Sequence, residues 1–276
     1  IIPIYCESRN TISLCNELQN FGAEHIVVVN DGLNPKSEYF NELTSMGCHL
    51  VHLKNNNGKG ASLKAGIKYA HDNLYNITGY ITCDADGQHT ANDVMKISRM
   101  LDLRNGSLIL GKRDYKKSKM PINIRIGNRL SSAYFKVITG KSCRDTQTGL
   151  RGIPAFLYDT VMKTKGSRFD FEMNFLTKCA DMRVPFYFVN IIADCSNCSS
   201  NFRLIKDTYL IYRTPLRFAT ASIGCTIIDL VLFTIFAYIL PSHMFFNIML
   251  ATLMARVVSG GINFLINRKV IFRQYG

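Results

Sequence analysis

Through about residue 192 the chain alternates short apolar runs with stretches of helical pattern, and that alternation leaves few folds open. The runs IIPIY, HIVVVN, HLVHL, GYITC and SLILG have the length of buried strands. Between them, the stretches Thr11–Phe21, Ala61–Leu74 and Asn92–Leu103 repeat apolar residues at helical spacing. Strands that each feed a helix predict an α/β domain with a mostly parallel, doubly wound sheet. Ligands in such sheets sit beyond the carboxyl ends of the strands. The polar residues that follow the apolar runs are therefore the first candidates for a site: Glu7, Asp31, Asp84, Asp86 and Arg113.

From Pro215 the composition changes. PLRFATASIGCTIIDLVLFTIFAYIL and MFFNIMLATLMARVVSGGINFLI are separated only by Pro241, Ser242 and His243. Each is close to the ~20 apolar residues that cross a bilayer. Arg213 and Arg217 precede the first, while Arg268, Lys269 and Arg273 follow the second. By the positive-inside tendency both outer ends are cytoplasmic. The expected organisation is a catalytic domain over residues 1–200, an amphipathic interfacial linker over 201–214 and a membrane hairpin over 215–276. The protein is then multi-pass, with its catalytic domain on the cytoplasmic face. Asp229 lies 12 residues after Arg217 and Arg256 lies 12 before Arg268. Both fall ~18 Å into their spans. A lone charge at that depth costs on the order of 3 kcal/mol, so the two are expected to pair.

The formal net charge is +13, which suits a phosphate-bearing partner or an anionic membrane surface. A basic protein with no special partner would have the same charge. Nine scattered cysteines give no disulfide framework and read as reduced thiols. Cys195 and Cys198 form a single C-x-x-C with no second ligand pair for zinc. The opening without Met reads as an internal start, a piece of a longer chain.

Four stretches carry chemistry. In DADGQH, Asp84 and Asp86 follow a strand, where a turn lets two carboxylates converge on one hard cation; the Gln88 amide oxygen is a third candidate. Acids after strands also cap the next helix. In NNNGKGASLKAG, glycines 58 and 60 let the backbone approach a ligand, with Lys59 at a helix start. A glycine turn with a solvated lysine is the equal alternative, and the spacing is not that of a Walker A loop. In VVVNDGL, Asp31 can accept from a base or a ribose hydroxyl, or close an Asx-turn. Finally, GKRDYKKSKMPINIRIGNRL is basic and then helical, and places Arg125 and Arg129 four residues apart on one face.

In order, IPIYCES, VVVNDG, NNGKGASLKAG, DADGQH, DTQTGLRG and FDFEMNFL resemble glycosyltransferase family 2, with its Rossmann-like GT-A fold. Within it the likeness is to the dolichyl- or polyprenyl-phosphate sugar synthases, over roughly residues 1–212. The hairpin is similar to a GtrA-like membrane domain, of which two of the usual four spans are present. The resemblance implies that Pro3, Tyr5, Glu7, Asp31, Lys59, Ala85 and Arg113 bind a UDP- or GDP-linked sugar. It implies that Asp84, Asp86 and Gln88 hold Mg²⁺ or Mn²⁺, and that Arg129 serves catalysis beside the two acids. Arg125, Asp145, Arg151, Glu172 and Ser200 fall to the acceptor and phosphate side. Two departures stand out: Cys6 where the family has Asn, and DCSNCSSNFR in place of the late Arg and Ser-Lys pattern.

The implied reaction moves a sugar, with inversion, from a nucleoside diphosphate to a polyprenyl phosphate at the membrane. Nucleic acid has no part in it, and self-association of the chain stays open. The rival readings are a family 2 enzyme that glycosylates a glycan or glycolipid hydroxyl, a metal-dependent nucleotidyltransferase, and an inactive membrane scaffold.

Overall fold

A computed structural model of the chain describes residues 1–114, 122–193, 204–240 and 245–266. It divides into two compact units, Ile1–Arg203 and Leu204–Gly276.

In the first unit, β1 (Ile2–Ile4), β2 (Val27–Asp31) and β3 (His49–Leu53) pair in parallel, with Ile2 and Leu50 both opposite Val28. A second set holds β4 (Gly79–Thr82), β5 (Leu108–Arg113), β6 (Arg151–Pro154) and β7 (Phe186–Ile191), in the order β4-β6-β5-β7. Here β6 runs antiparallel to both neighbours, and β5 pairs in parallel with β7. Ile1 joins the two sets. Its backbone nitrogen donates to the Ile81 carbonyl at 2.7 Å, and its carbonyl accepts from the Cys83 N–H at 3.1 Å. The mostly parallel sheet expected from the alternation is present, with one reversed strand.

Residue alternation places a core on each face. Val27, Val29, Leu108 and Leu110 point to one side. There they meet α3 (Lys59–Asn73), α5 (Ile122–Thr139), α6 (Tyr158–Lys163) and α7 (Phe169–Asp181) through Leu63, Ile67, Phe135, Val161 and Phe175. Ile2, Ile4, Val28 and Ile109 point to the other side. They pack on α1 (Arg9–Asn20), α2 (Glu38–Ser45) and α4 (Ala91–Leu103) through Leu14, Phe40 and Ile97. Ser8, Ser37 and Thr90 cap α1, α2 and α4 by accepting from backbone N–H groups of the first turn. β6 and β7 lie outside the five runs read as strands. RGIP offers little more than an arginine, a glycine and a proline, and it becomes a strand because β4 and β5 provide edges on both sides.

The second unit is a pair of helices, α8 (Leu204–Ile239) and α9 (Phe245–Ile266). Thr220–Ile239 and Phe246–Leu265 are long and apolar enough to cross a membrane. α8 runs unbroken from Leu204, so residues 204–214 of the expected interfacial linker are helical and continuous with the first apolar segment. Ala251, Ala255 and Ser259 of α9 are buried at four-residue spacing, with Cys225 buried on α8. Small side chains on that stripe let two helix backbones approach closely. The expected pairing of Asp229 with Arg256 is formed: Arg256 Nη1 lies 3.4 Å from Asp229 Oδ2. Ser259 Oγ adds a 2.7 Å hydrogen bond to Asp229 Oδ1. Cys195, Cys198, Ser200, the 241–243 turn, Arg268, Lys269 and Arg273 lie outside the described residues, as do the side chains of Arg213 and Arg217.

Candidate active site

A cleft opens at the carboxyl ends of β1, β2 and β4, the edge where an open α/β sheet receives its ligands. Pro3, Ile4, Tyr5 and Cys6 line it from β1, Asp31 from β2, and Asp84, Ala85, Asp86 and Gln88 from the turn after β4. Asn56, Gly58 and Lys59 come from the glycine loop, and Arg168 and Phe169 from the start of α7.

Asp31 holds the glycine loop in place. It is buried, and its two carboxylate oxygens accept from the N–H groups of Asn57 at 2.7 Å and Gly58 at 2.9 Å. Each oxygen keeps a lone pair for a ligand. Gly58 has φ +94°, and a Cβ there would stand 2.7 Å from Arg168 Cγ and 2.8 Å from the Ser167 carbonyl. Only glycine takes that conformation in that space. The turn it makes sets Lys59 as the first residue of α3, aimed at the acids.

Lys59 Nζ lies 2.6 Å from Asp84 Oδ1 and 3.1 Å from Glu172 Oε1. Its ammonium also lies 5.8 Å from the Phe169 ring centroid. Burial disfavours the ammonium, but the carboxylates of Asp84 and Glu172 more than offset this and raise its pKa. Burial likewise works against the Asp84 carboxylate; Lys59 and then His89 override it and hold the group well below the usual carboxylate range. His89 is buried, with Nε2 3.5 Å from Asp84 Oδ2. Behind Lys59, Arg151 approaches Glu172 Oε1 at 3.8 Å, so charges alternate from Asp84 through Lys59 and Glu172 to Arg151.

Asp86 is oriented by Gln88, whose backbone N–H donates to Oδ1 at 3.1 Å and whose side-chain amide donates to Oδ2. The amide therefore presents its nitrogen to Asp86. Asn10 and Thr11, at the start of α1, fasten the same turn through the carbonyls of Asp86 at 3.3 Å and Ala85 at 3.1 Å.

Pro3, Tyr5, Asp31, Lys59, Asp84, Ala85, Asp86 and Gln88 thus line one cleft. Other expected site residues go elsewhere. Glu7 is exposed and does not line the cleft. Arg113 meets Asp145 through Nε at 2.7 Å and Nη2 at 2.8 Å, both residues buried, and neither is among the cleft-lining residues. Arg151 spends its guanidinium on the carbonyls of Thr146, Thr148 and Glu172, bracing the 146–151 turn against α7. Arg125 and Arg129 are exposed on α5 and are not among the cleft-lining residues. The sequence reading missed Asn10, Asn56, Arg168 and Phe169. For the last two the signal lay at the head of FDFEMNFL, where a helix begins.

The cleft fits a divalent cation that shares its shell with a ligand. Asp84 and Asp86 offer hard oxygens, and a lysine ammonium already rests against Asp84, so positive charge is stabilised there. Among the described residues no group of three or more His, Cys, Asp or Glu side chains could hold a metal. An ion at this place would take further oxygens from phosphate or water.

A family model described as Glycosyl transferase family 2 matches residues 1–159. An uncharacterized protein of Methanocaldococcus jannaschii is 32% identical over 187 residues, 64% of this chain and 72% of its own. A UDP-N-acetylglucosamine–dolichyl-phosphate N-acetylglucosaminyltransferase of Methanococcus voltae is 29% identical over 171 residues, 55% of this chain and 66% of its own. Among solved structures, the glucosyl-3-phosphoglycerate synthase of Mycobacterium tuberculosis in complex with UDP superposes with a TM-score of 0.58 at 12% identity, over 77% of each chain. The same enzyme with Mn²⁺, UDP-glucose and glycerol 3-phosphate gives 0.55 at 13% identity, over 78% of this chain and 76% of the other. At such identity the likeness is one of fold.

Proposed function

The chain belongs to glycosyl transferase family 2, and from that premise we propose that it transfers a sugar from a nucleoside diphosphate to a polyprenyl phosphate at a membrane. The observation that carries this reading is the state of the cleft's carboxylates. Asp31 is taken up by two backbone N–H groups, Asp84 by Lys59, and Asp86 by Gln88. Glu172, behind them, faces Lys59 and Arg151. A hydroxyl acceptor needs a base to take its proton. A phosphate monoester, with its second pKa near ~6, arrives largely as a dianion and needs none. A cleft whose acids are all engaged suits the second acceptor.

In this reading Pro3 and Tyr5 flank the nucleoside, and Asp31 accepts from its base or ribose. Asp84 and Asp86 would hold Mg²⁺ or Mn²⁺, which when bound supplies positive charge to the departing diphosphate. Lys59 adds a cation on the same wall of the cleft. The acceptor phosphate attacks opposite the leaving group, so the anomeric centre inverts. Two further features support the membrane setting. On α5, Ile122, Ile126 and Leu130 are exposed at four-residue spacing beside the exposed Arg125 and Arg129, which suits a helix lying at an anionic lipid surface and an acceptor phosphate held there. The hairpin of α8 and α9, with basic residues at its outer ends, would keep the first unit on the cytoplasmic side where that lipid is charged with sugar. The Methanococcus voltae relative, named for a dolichyl phosphate acceptor, supports the acceptor class.

The test is a screen of UDP- and GDP-linked sugars against radiolabelled polyprenyl phosphate with the full chain in lipid. Sugar should appear on the lipid with release of nucleoside diphosphate, and Asp86→Asn should abolish turnover without changing the unfolding midpoint. Release of pyrophosphate, or transfer only to hydroxyl acceptors, would replace this reading with one of its rivals. Failure to bind any nucleotide sugar would leave a scaffold.

A further inference from the structure

Lys59 is the one cleft residue whose place is contested by the chemistry assigned to its neighbours. Its ammonium sits 2.6 Å from Asp84 Oδ1, where a divalent ion held by Asp84 and Asp86 would have to approach. Its backbone is pinned by the Gly58 turn, by Asp31 through the Asn57 and Gly58 amides, and by the Ala61 N–H to the Ser167 carbonyl at 2.9 Å. The side chain is therefore the movable part. A second seat is ready, since Glu172 Oε1 lies 3.1 Å from the same nitrogen.

Resting on the glycosyltransferase reading, we propose that Lys59 is a resident cation that a divalent ion must displace from Asp84, and that this displacement makes metal binding depend on the donor's diphosphate. The charges give the reason. The cleft is lined by Asp31, Asp84 and Asp86 with Lys59 and Arg168, and Glu172 and Arg151 stand behind Lys59, so four negative charges meet three positive ones before any ligand arrives. A divalent ion alone would share Asp84 with an ammonium, and two cations at one carboxylate repel. A diphosphate brings the missing negative charge. Lys59 lines the cleft and can turn from Asp84 to a phosphate oxygen, so the ion and the ammonium then serve the same anion. Coupling of this kind is reciprocal: the diphosphate should tighten the metal by the factor by which the metal tightens the diphosphate. In a membrane enzyme this would keep the metal out of a donor-free site.

The experiment titrates Mn²⁺ into the full chain and reads the free ion by electron paramagnetic resonance, with no nucleotide, with UDP and with GDP. Wild type should bind Mn²⁺ weakly alone and much more tightly with whichever diphosphate it accepts. Lys59→Met should bind Mn²⁺ alone at least about tenfold more tightly than wild type, and should lose most of the nucleotide dependence. Lys59→Arg should behave as wild type. Because Lys59→Met strands Glu172, Lys59→Met with Glu172→Gln is the companion variant, in which the buried pair is removed as a unit. Unchanged or weaker Mn²⁺ binding in that double variant overturns the proposal, since loss of a cation that holds Asp84 against the ion should strengthen the site. If neither UDP nor GDP binds wild type, the glycosyltransferase reading fails while the metal-alone comparison still decides the role of Lys59.

Discussion

Gly149 faces Asp84 so closely that a Cβ at that position would meet Oδ2 at 2.1 Å. The obstructed atom is the tip of a side chain, not backbone, so Gly149→Ala should turn the carboxylate aside instead of breaking the sheet. Turnover is expected to fall on the order of 100-fold. The unfolding midpoint should stay within about 4 °C of wild type. Parallel assays of transfer and thermal unfolding decide this, and a large drop in stability with activity per folded molecule intact would contradict it. At this scale the sequence showed the acids at 84 and 86 as residues that follow a strand, and position alone brought them to the cleft. It did not show which of the other charges face them. Arg113 and Asp145 stand 32 residues apart, and both read as ligand contacts until the structure joined them in the interior. Such a buried pair orders the turn before β6; breaking it by removing one partner strands a charge, the costly event in a protein core.

Among the elements, α8 and α9 carry the most specific expectation that could be read without coordinates. Two apolar segments of similar length with one acid and one base equidistant from the turn must bring those charges level when they pack antiparallel. The structure adds Ser259 as a third member, bonded to Asp229 at 2.7 Å on the stripe that also buries Ala251 and Ala255. Asp229→Arg and Arg256→Asp should each lower the yield of folded protein extracted from membranes, since a lone charge in a span costs on the order of 3 kcal/mol. The double exchange should restore most of it. Equal loss in all three would show that the charges face something other than each other. The strands were less evenly readable. The five apolar runs became β1 to β5, whereas β6 was hidden: four residues with a glycine and a proline have no periodicity to read. Its hydrogen bonds to β4 and β5 make it a strand, and those partners lie far away in the sequence.

Over the whole molecule, a sheet with a core on each face buries several thiols, and this gives the protein an alkaline limit. Burial pushes Cys83 and Cys143 up to about 11 and Cys179 up to about 12, from an ordinary 9.0. A folded-state pKa above the unfolded value means the stabilisation is complete below pH 9.0 and is lost as pH rises toward 11 and 12. Each thiol adds at most about 1.4 kcal/mol per pH unit to that slope. Cys179→Ala should flatten the slope between pH 9 and 11 by one thiol's share, as read from denaturant midpoints of the full chain in detergent; an unaltered slope would mean the thiol ionises without unfolding. By itself the sequence determined the order of the first five strands with α1, α3 and α4 between them, the edge of the sheet where acids gather, and the length and charge level of the two apolar segments. These follow from periodicity and from distances along the chain, which are local. Tertiary structure alone decided that Lys59 rests between Asp84 and Glu172, that Arg113 closes on Asp145, and that β6 enters the sheet reversed. Ion pairs and strand pairs are chosen by proximity in space within a medium of low polarity, and residues that meet there carry no mark of it in their spacing.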